Sequence, residues 1–143
     1  MNKNYKSQTR FRRYIMDIIY EKDTDKSLDD ALKALKASLK DQGFGVLWEL
    51  NFKDKLQEKG LDFEDPFVVL EVCNPKKAKE VLEKNIHVGY VLPCKMVVRR
   101  DKNTTYIGML RPERLMALFD EETLTSVAQN VEASLMKAIE ACI

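Results

Sequence analysis

The first hydrophobic stretch of the chain, residues 14–20, places Tyr14, Met16, Ile18 and Tyr20 on one side by two-residue alternation. Most of the residues in this stretch are β-branched or aromatic, and such residues favour extended structure. The pattern therefore predicts a first β-strand here.

The next stretch changes to helical spacing. Ser27 has the side chain typical of a helix N-cap, and Asp30 follows at the third position after it. Gly43 predicts the end of the helix, because glycine tolerates the left-handed backbone that terminates many helices. The pattern predicts a helix over about residues 27–41, and its apolar stripe consists of Leu28, Leu32, Leu35 and Leu39.

Two-residue alternation returns after this helix and predicts a second strand. We expect its apolar positions to form one face that packs against helices. Residues 53–59 are mostly charged and predict a short exposed helix. The apolar positions of the second strand are Phe44, Val46, Trp48, Leu50 and Phe52.

The second half of the chain predicts three further strands and three helices. Asn74 is a preferred N-cap, and Pro75 suits the first helical position, where its missing N–H is not needed. Residues 101–103 predict the turn of a hairpin. The predicted strands cover residues 67–72, 94–100 and 104–110, and the predicted helices begin at Pro75, Pro112 and Glu122, the last running to the end of the chain.

This order of elements predicts the fold class. Consecutive strands joined by a hairpin, with helices segregated to one side, are typical of an α+β sandwich with a mostly antiparallel sheet. We expect a single domain over residues 11–143, covered on one face by helices, and a flexible basic tail over residues 1–10. Gly43 and Gly45 form no phosphate-binding loop, because a third glycine is missing and the pair follows a helix.

The composition narrows the classes of partner. The 24 basic and 23 acidic residues give a net charge of +1, which argues against a dedicated nucleic-acid-binding protein. No apolar stretch reaches the roughly 18 residues of a transmembrane helix, so we expect no membrane insertion. The three cysteines lack a disulfide spacing and fit a reducing compartment. We therefore expect a cytoplasmic protein.

Cys73 is the strongest candidate for chemistry. It ends the third predicted strand directly before a helix N-terminus, where free amides stabilise a thiolate that acts as nucleophile or ligand. Asn74 and the amides after Pro75 favour an anionic or polar ligand group. The alternative is that Cys73 is a small apolar side chain packed in the core.

Cys94 follows Pro93 at the start of the fourth predicted strand, a position that by itself indicates a core residue. If the third and fourth strands are neighbours, its sulfur approaches that of Cys73. The pair would then form a reversible dithiol or a soft metal site. His87 would be a third metal ligand, although the spacing matches no structural zinc site and a hydrogen-bonded structural role is the alternative.

Two further residues complete the candidates. Glu71 lies two positions before Cys73, on the same side of a regular strand, where it would act as a general base or simply face water. Cys142 lies on the apolar stripe of the last helix, and this position predicts packing rather than chemistry.

Four segments together resemble the bacterial and archaeal family called domain of unknown function 302. They are Gly43–Leu47, Val72–Pro75, Gly89–Cys94 and Ile107–Met109, and the resemblance spans residues 14–143. It implies a compact α+β domain with a β-α-β(4)-α core, often a homodimer, with no assigned reaction. The family's two cysteine motifs correspond to Cys73-Asn74-Pro75 and Pro93-Cys94.

Three functions stay open from the sequence, and no motif identifies a cofactor or decides whether the protein is an enzyme. The first is a dimeric cytosolic module that binds a small-molecule or anionic ligand in a pocket lined by Cys73, Asn74, Pro75 and Cys94. The second is a thiol-dependent redox protein or enzyme, with Cys73 as thiolate and Cys94 as resolving partner. The third is a structural domain in which both cysteines are packed.

Overall fold

Five segments with alternating side chains form one antiparallel sheet in the computed structural model, which describes residues 17–143. The strands lie across the sheet in the order β1-β5-β4-β3-β2, and every neighbouring pair is antiparallel. The strands are β1 (Ile19–Thr24), β2 (Gly45–Asn51), β3 (Phe67–Cys73), β4 (Cys94–Asp101) and β5 (Thr104–Leu110).

The long helices pack on one face of this sheet, which confirms the predicted α+β class and the β-α-β(4)-α core that the resemblance implies. The predicted tail over residues 1–10 lies outside the described residues. The helices are α1 (Leu28–Asp41), α2 (Phe52–Glu58), α3 (Pro75–Lys84), α4 (Pro112–Ala117) and α5 (Glu122–Glu140), and a 3-10 helix covers Ile86–Val91.

Local capping signals set the ends of α1 as predicted. The Ser27 side chain accepts a hydrogen bond from the Asp30 amide at 3.1 Å and so satisfies one of the free amides of the first turn. Gly43 has a φ of 83°, and the Phe44 amide after it donates to the Leu39 carbonyl at 2.9 Å. This geometry ends the helix and turns the chain into β2.

The hydrophobic core lies between the helices and one face of the sheet. Leu70 of β3 and Met96 of β4 lie opposite each other on that face and are fully buried. Leu35 of α1 and Leu135 of α5 are also fully buried. Each such side chain contributes about 1.5–3 kcal/mol to stability through the burial of apolar surface.

Polar contacts join the C-terminal helix to the rest of the fold. The buried carboxylate of Glu132 accepts a hydrogen bond from Arg111 at 3.1 Å, which supplies the partner that a buried charge requires. The Tyr20 hydroxyl donates to Glu140 at 2.8 Å, and burial together with this carboxylate raises the pKa of Tyr20 to about 12. Helix α5 is therefore held by β1 and by the residue that follows β5, as well as by apolar packing.

The prediction that the apolar positions of β2 form one face against the helices is wrong for the second half of the strand. Val46 packs against the core opposite Val72, but a bulge follows. Trp48 lies opposite Glu71 on the other face of the sheet, here called the uncovered face because no long helix of residues 17–143 packs on it, and 48% of its surface is exposed. Leu47 is the extra residue at this bulge. One inserted residue moves all the following side chains to the other face, which two-residue alternation cannot anticipate.

The first strand also differs from the prediction, which placed it at residues 14–20. Strand β1 covers Ile19–Thr24, where it pairs with β5 from Leu110 to Thr105. The part of the predicted strand before Asp17 lies outside the described residues. The charged side chains in the middle of β1 lower its local strand propensity, but pairing with β5 at the sheet edge outweighs that propensity.

No helix among residues 17–143 is both long and apolar enough to cross a lipid bilayer.

Gly108 allows the close approach of β1 and β5, and its replacement provides a test of this packing. A Cβ at this position would lie 2.9 Å from the Tyr20 carbonyl oxygen. We expect Gly108→Ala to lower the free energy of unfolding by about 1–3 kcal/mol, because the two backbones must separate. The measurement is urea denaturation followed by circular dichroism.

Gly45→Ala is the matched control, since a Cβ at Gly45 would meet nothing within 4 Å. We expect this control to change the free energy of unfolding by less than about 1 kcal/mol. Equal effects of the two substitutions would contradict the close approach at Gly108.

Candidate functional site

The candidate site begins where β3 passes directly into α3. Cys73 is the last residue of the strand, and Asn74 alone connects it to the helix. The Asn74 side chain accepts a hydrogen bond from the Lys77 amide at 3.3 Å, and Pro75 occupies the first helical position. These are the predicted cap and the predicted helix start, so the sequence alone locates this junction.

Cys94 reaches the same place from the neighbouring strand. The Leu92–Pro93 peptide bond is cis, and Cys94 is the first residue of β4. Its ladder partner on β3 is Val72, the residue directly before Cys73. Strand geometry then puts the Cα atoms of Cys73 and Cys94 about 6 Å apart, a separation compatible with direct or bridged contact of their sulfurs.

Both cysteines line one small cavity. Cys73 is partly exposed, whereas Cys94 is buried with 9% of its surface accessible. The cavity has a volume of about 20 Å³, which is room for about one water molecule. The other lining residues are Phe44, Val72, Asn74, Lys77, Ala78, Val81, Leu92, Pro93, Met116 and Val131.

The surroundings keep both thiols protonated at neutral pH. Burial raises the pKa of the Cys73 thiol above its ordinary value of 9.0. Burial, with a smaller effect from the neighbouring Cys73, raises the pKa of Cys94 to about 12. Loss of hydration on burial disfavours the charged thiolate relative to the neutral thiol. The raised pKa gives no support to the predicted activation of Cys73 by this helix N-terminus, which stays a prediction.

The structure separates two other candidates from the cysteines. Glu71 lies opposite Lys95 and Trp48 on the uncovered face of the sheet, and it does not line the cavity. His87 is exposed on the 3-10 helix and likewise lies outside the cavity lining. Within residues 17–143, no group of three or more histidine, cysteine or acidic residues is arranged to hold a metal ion.

The third cysteine is a packing residue, as predicted. Cys142 is buried at the end of α5, and its thiol donates to the Ala138 carbonyl at 3.1 Å. It also lies 3.2 Å from the Ser38 hydroxyl. Because Cys142 is absent from the cavity lining, it provides an internal control for the other two cysteines.

Several residues of the cavity were not found by sequence reasoning. Phe44 directly precedes β2 and Val131 lies on α5, and both meet the cysteines only through tertiary packing. Their apolar periodicity indicated the core without indicating which part of it. The glycine at position 43 was a usable signal of a close approach to this site. In the structure a Cβ there would lie 3.2 Å from the Asn74 side-chain amide nitrogen. This glycine therefore lets α1 end close to the start of α3.

Comparison with known proteins identifies the family. The sequence profile of "Domain of unknown function DUF302" matches residues 20–142. This chain belongs to the DUF302 family. A crystal structure of an uncharacterized conserved DUF302 protein from Bacillus stearothermophilus has 43% sequence identity and a TM-score of 0.85, and the match covers 88% of this chain and 98% of that one. No protein with a curated description matches the chain.

The pKa of Cys73 in this DUF302 protein is measurable by alkylation. In a Cys94→Ser, Cys142→Ser variant only Cys73 reacts, and the rate of reaction with iodoacetamide follows its thiolate fraction. We expect the midpoint of the pH–rate profile to lie above the ordinary value of 9.0 because of burial. A short unstructured peptide with one cysteine is the control, and a midpoint for Cys73 below that of the peptide would contradict the desolvation of this site.

Proposed function

We propose that this protein is a small-ligand-binding module whose ligand is held by the thiols of Cys73 and Cys94. The observation that carries the proposal is that two free cysteines from neighbouring strand ends line a single cavity. Three unpaired thiols also support the cytoplasm as its compartment, because thiols persist in a reducing environment.

The ligand is thiophilic and very small. The lining of the cavity is mostly hydrocarbon, so sulfur is the main chemical feature that a ligand meets there. An anionic group has less support, because the Asn74 side chain already accepts the hydrogen bond of the Lys77 amide at the helix start. A volume of about 20 Å³ admits only one small atom or group between the sulfurs. Any larger part of a ligand must lie outside the cavity, on the side where Cys73 is partly exposed.

A thiol-dependent enzyme has weaker support than a binding site. Nucleophilic cysteines have lowered pKa values, whereas both thiols in this cavity have raised pKa values. The buried position of Cys94 further restricts the approach of a second substrate. A site that binds through two neutral thiols, releasing their protons only when the ligand is bound, agrees better with these surroundings.

Phenylarsine oxide tests whether the two sulfurs act together. Its arsenic forms bonds to two thiols and its oxygen leaves as water, without any change of oxidation state. We expect one arsenical per reduced wild-type chain by mass spectrometry of the intact protein. Cys73→Ser and Cys94→Ser are each expected to weaken retention against a competing monothiol at least tenfold, because a single arsenic–sulfur bond exchanges readily.

Cys142→Ser is the matched control and should retain the arsenical like the wild type. Circular dichroism establishes that each variant is folded. A wild-type protein that retains the reagent no better than the folded Cys73→Ser variant would refute the shared dithiol site.

We also propose that a second copy of this chain packs on the uncovered face of the sheet. Leu50, Val69 and Val97 form its central apolar row, beside a hollow of about 280 Å³ lined in part by Ile19 and Leu110. A face of five strands spans about 24 by 20 Å, or about 480 Å² in projection. The side chains that stand on it add surface toward the roughly 800 Å² that each partner buries in a stable complex.

The charges on this face support a partner of the same kind. Glu71 lies opposite Lys95, and the Arg99 guanidinium binds the Glu21 carboxylate at 2.9 Å. Because acids and bases alternate on the face, a twofold arrangement can place the acids of one copy against the bases of the other. A partner with a strong net charge of one sign would meet like charges as well as opposite charges on this face.

Light scattering after size-exclusion chromatography tests this dimer. We expect the wild type to have about twice the 16.6 kDa mass of one chain. Val97→Lys is expected to give a monomer, because it buries an unpaired charge at the centre of the interface. Leu118→Lys alters an exposed apolar residue of the helical layer and should leave the dimer intact. A monomeric wild type, or a dimeric Val97→Lys variant, would contradict the proposal.

A further inference from the structure

The geometry of the dithiol cavity points to Cu(I) as its ligand. We propose that one Cu(I) ion is bound between the sulfur atoms of Cys73 and Cys94. This inference rests on the proposed function and names the chemical class of its ligand, a soft metal ion with two thiolate donors.

The donor set determines which ions are suitable. Soft thiolates select Cu(I), zinc and iron–sulfur clusters, whereas Ca²⁺ and Mg²⁺ require several oxygen ligands. Iron–sulfur clusters need four cysteine ligands. Structural zinc sites almost always have four ligands, and within residues 17–143 no histidine, cysteine or carboxylate joins the two cysteines in such a group. Cu(I) differs from these ions because it accepts two-coordinate binding by a pair of thiolates.

The size and polarity of the cavity agree with a single ion. A volume of about 20 Å³ admits one atom or one water molecule. A water molecule needs two to four polar partners, but Phe44, Val81 and Leu92 surround this space with hydrocarbon. A soft ion needs only the two sulfurs, and the apolar walls would protect its bonds from competing water.

The binding step balances without an oxidant or a reductant. Two S–H bonds break, two Cu–S bonds form, and two protons pass to solvent, while copper and both sulfurs keep their oxidation states. Thiols must lose their protons to bind a metal, so the raised pKa values reduce the affinity without preventing binding.

The resulting complex carries one negative charge, and the chain supplies compensation nearby. Lys77 lines the cavity, and its ammonium group is only loosely paired, at 3.8 Å from Glu80. The start of α3 adds the positive end of the helix dipole beside Cys73. These groups would stabilise the bound anionic complex more than the empty neutral dithiol.

Anaerobic titration with the Cu(I) complex of bicinchoninate tests this site. The reduced 143-residue chain competes with the coloured chelator for copper, and loss of the chelator's visible absorption reports the transfer. We expect one Cu(I) per wild-type chain. Cys73→Ser and Cys94→Ser are each expected to lower the affinity at least tenfold, because one of the two sulfur donors is removed.

Cys142→Ser is again the matched control and should bind like the wild type. Lys77→Gln should bind copper with the same stoichiometry but lower affinity, because it removes only the compensating charge. Failure of the wild type to take copper from the chelator would overturn the inference. A stoichiometry of one copper per two chains, or full binding by folded Cys73→Ser, would also overturn it.

The arsenical experiment separates the proposed dithiol site from the proposed identity of its metal. If the wild type retains phenylarsine oxide but does not bind Cu(I), the dithiol site stands and the choice of metal is wrong. If it does neither, the proposed function and this inference both fail. Binding of both reagents, with loss of both in the same two cysteine variants, is the expected result.

Discussion

The antiparallel register between β3 and β4 is the constraint on which both the core and the candidate site depend. Val68, Leu70 and Val72 of β3 lie opposite Val98, Met96 and Cys94 of β4, and all six side chains are buried on the helical side of the sheet. A slip of one residue would turn one of these sets toward the uncovered face and expose it to solvent. The burial that stabilises the fold therefore also places Cys94 beside Cys73.

The character of the site follows from its position at the edge of this core. Helix α3 starts immediately after Cys73, and helix α5 brings Val131 over the same end of the sheet. Apolar side chains from six parts of the fold thus enclose the two sulfurs: β3, α3, α4, α5 and the segments before β2 and β4. Such surroundings withhold water and keep the thiols neutral. These surroundings are the reason for proposing a soft ligand that binds through both thiols rather than chemistry that needs a free thiolate.

The two faces of the sheet differ because of a few backbone features. The bulge at Leu47 turns Trp48 away from the core, and the absence of a side chain at Gly108 lets β1 approach β5 closely. The helical face is filled by packed leucine, valine and methionine side chains. The other face combines an apolar centre with charge pairs such as Arg99 and Glu21, a combination that suits contact with a second protein surface better than contact with water alone.

The sequence by itself determined the elements whose signals are local. The caps at Ser27 and Asn74, the stop at Gly43 and the apolar stripe of α5 all act within a few residues, so their positions followed from residue type and spacing. From the sequence, the two cysteine motifs could be expected to meet only if β3 and β4 were neighbours, which the structure shows them to be.

Tertiary structure alone decided the start of β1, the bulge in β2, and the places of Glu71 and His87. It also decided the raised pKa values of the thiols, because desolvation depends on side chains that are distant in the chain. Local propensity is a weak preference that pairing with a neighbouring strand can outweigh. Which residues become neighbours across the sheet is a property of the whole fold, and so the chemistry of this cavity could not be obtained from any single segment of the chain.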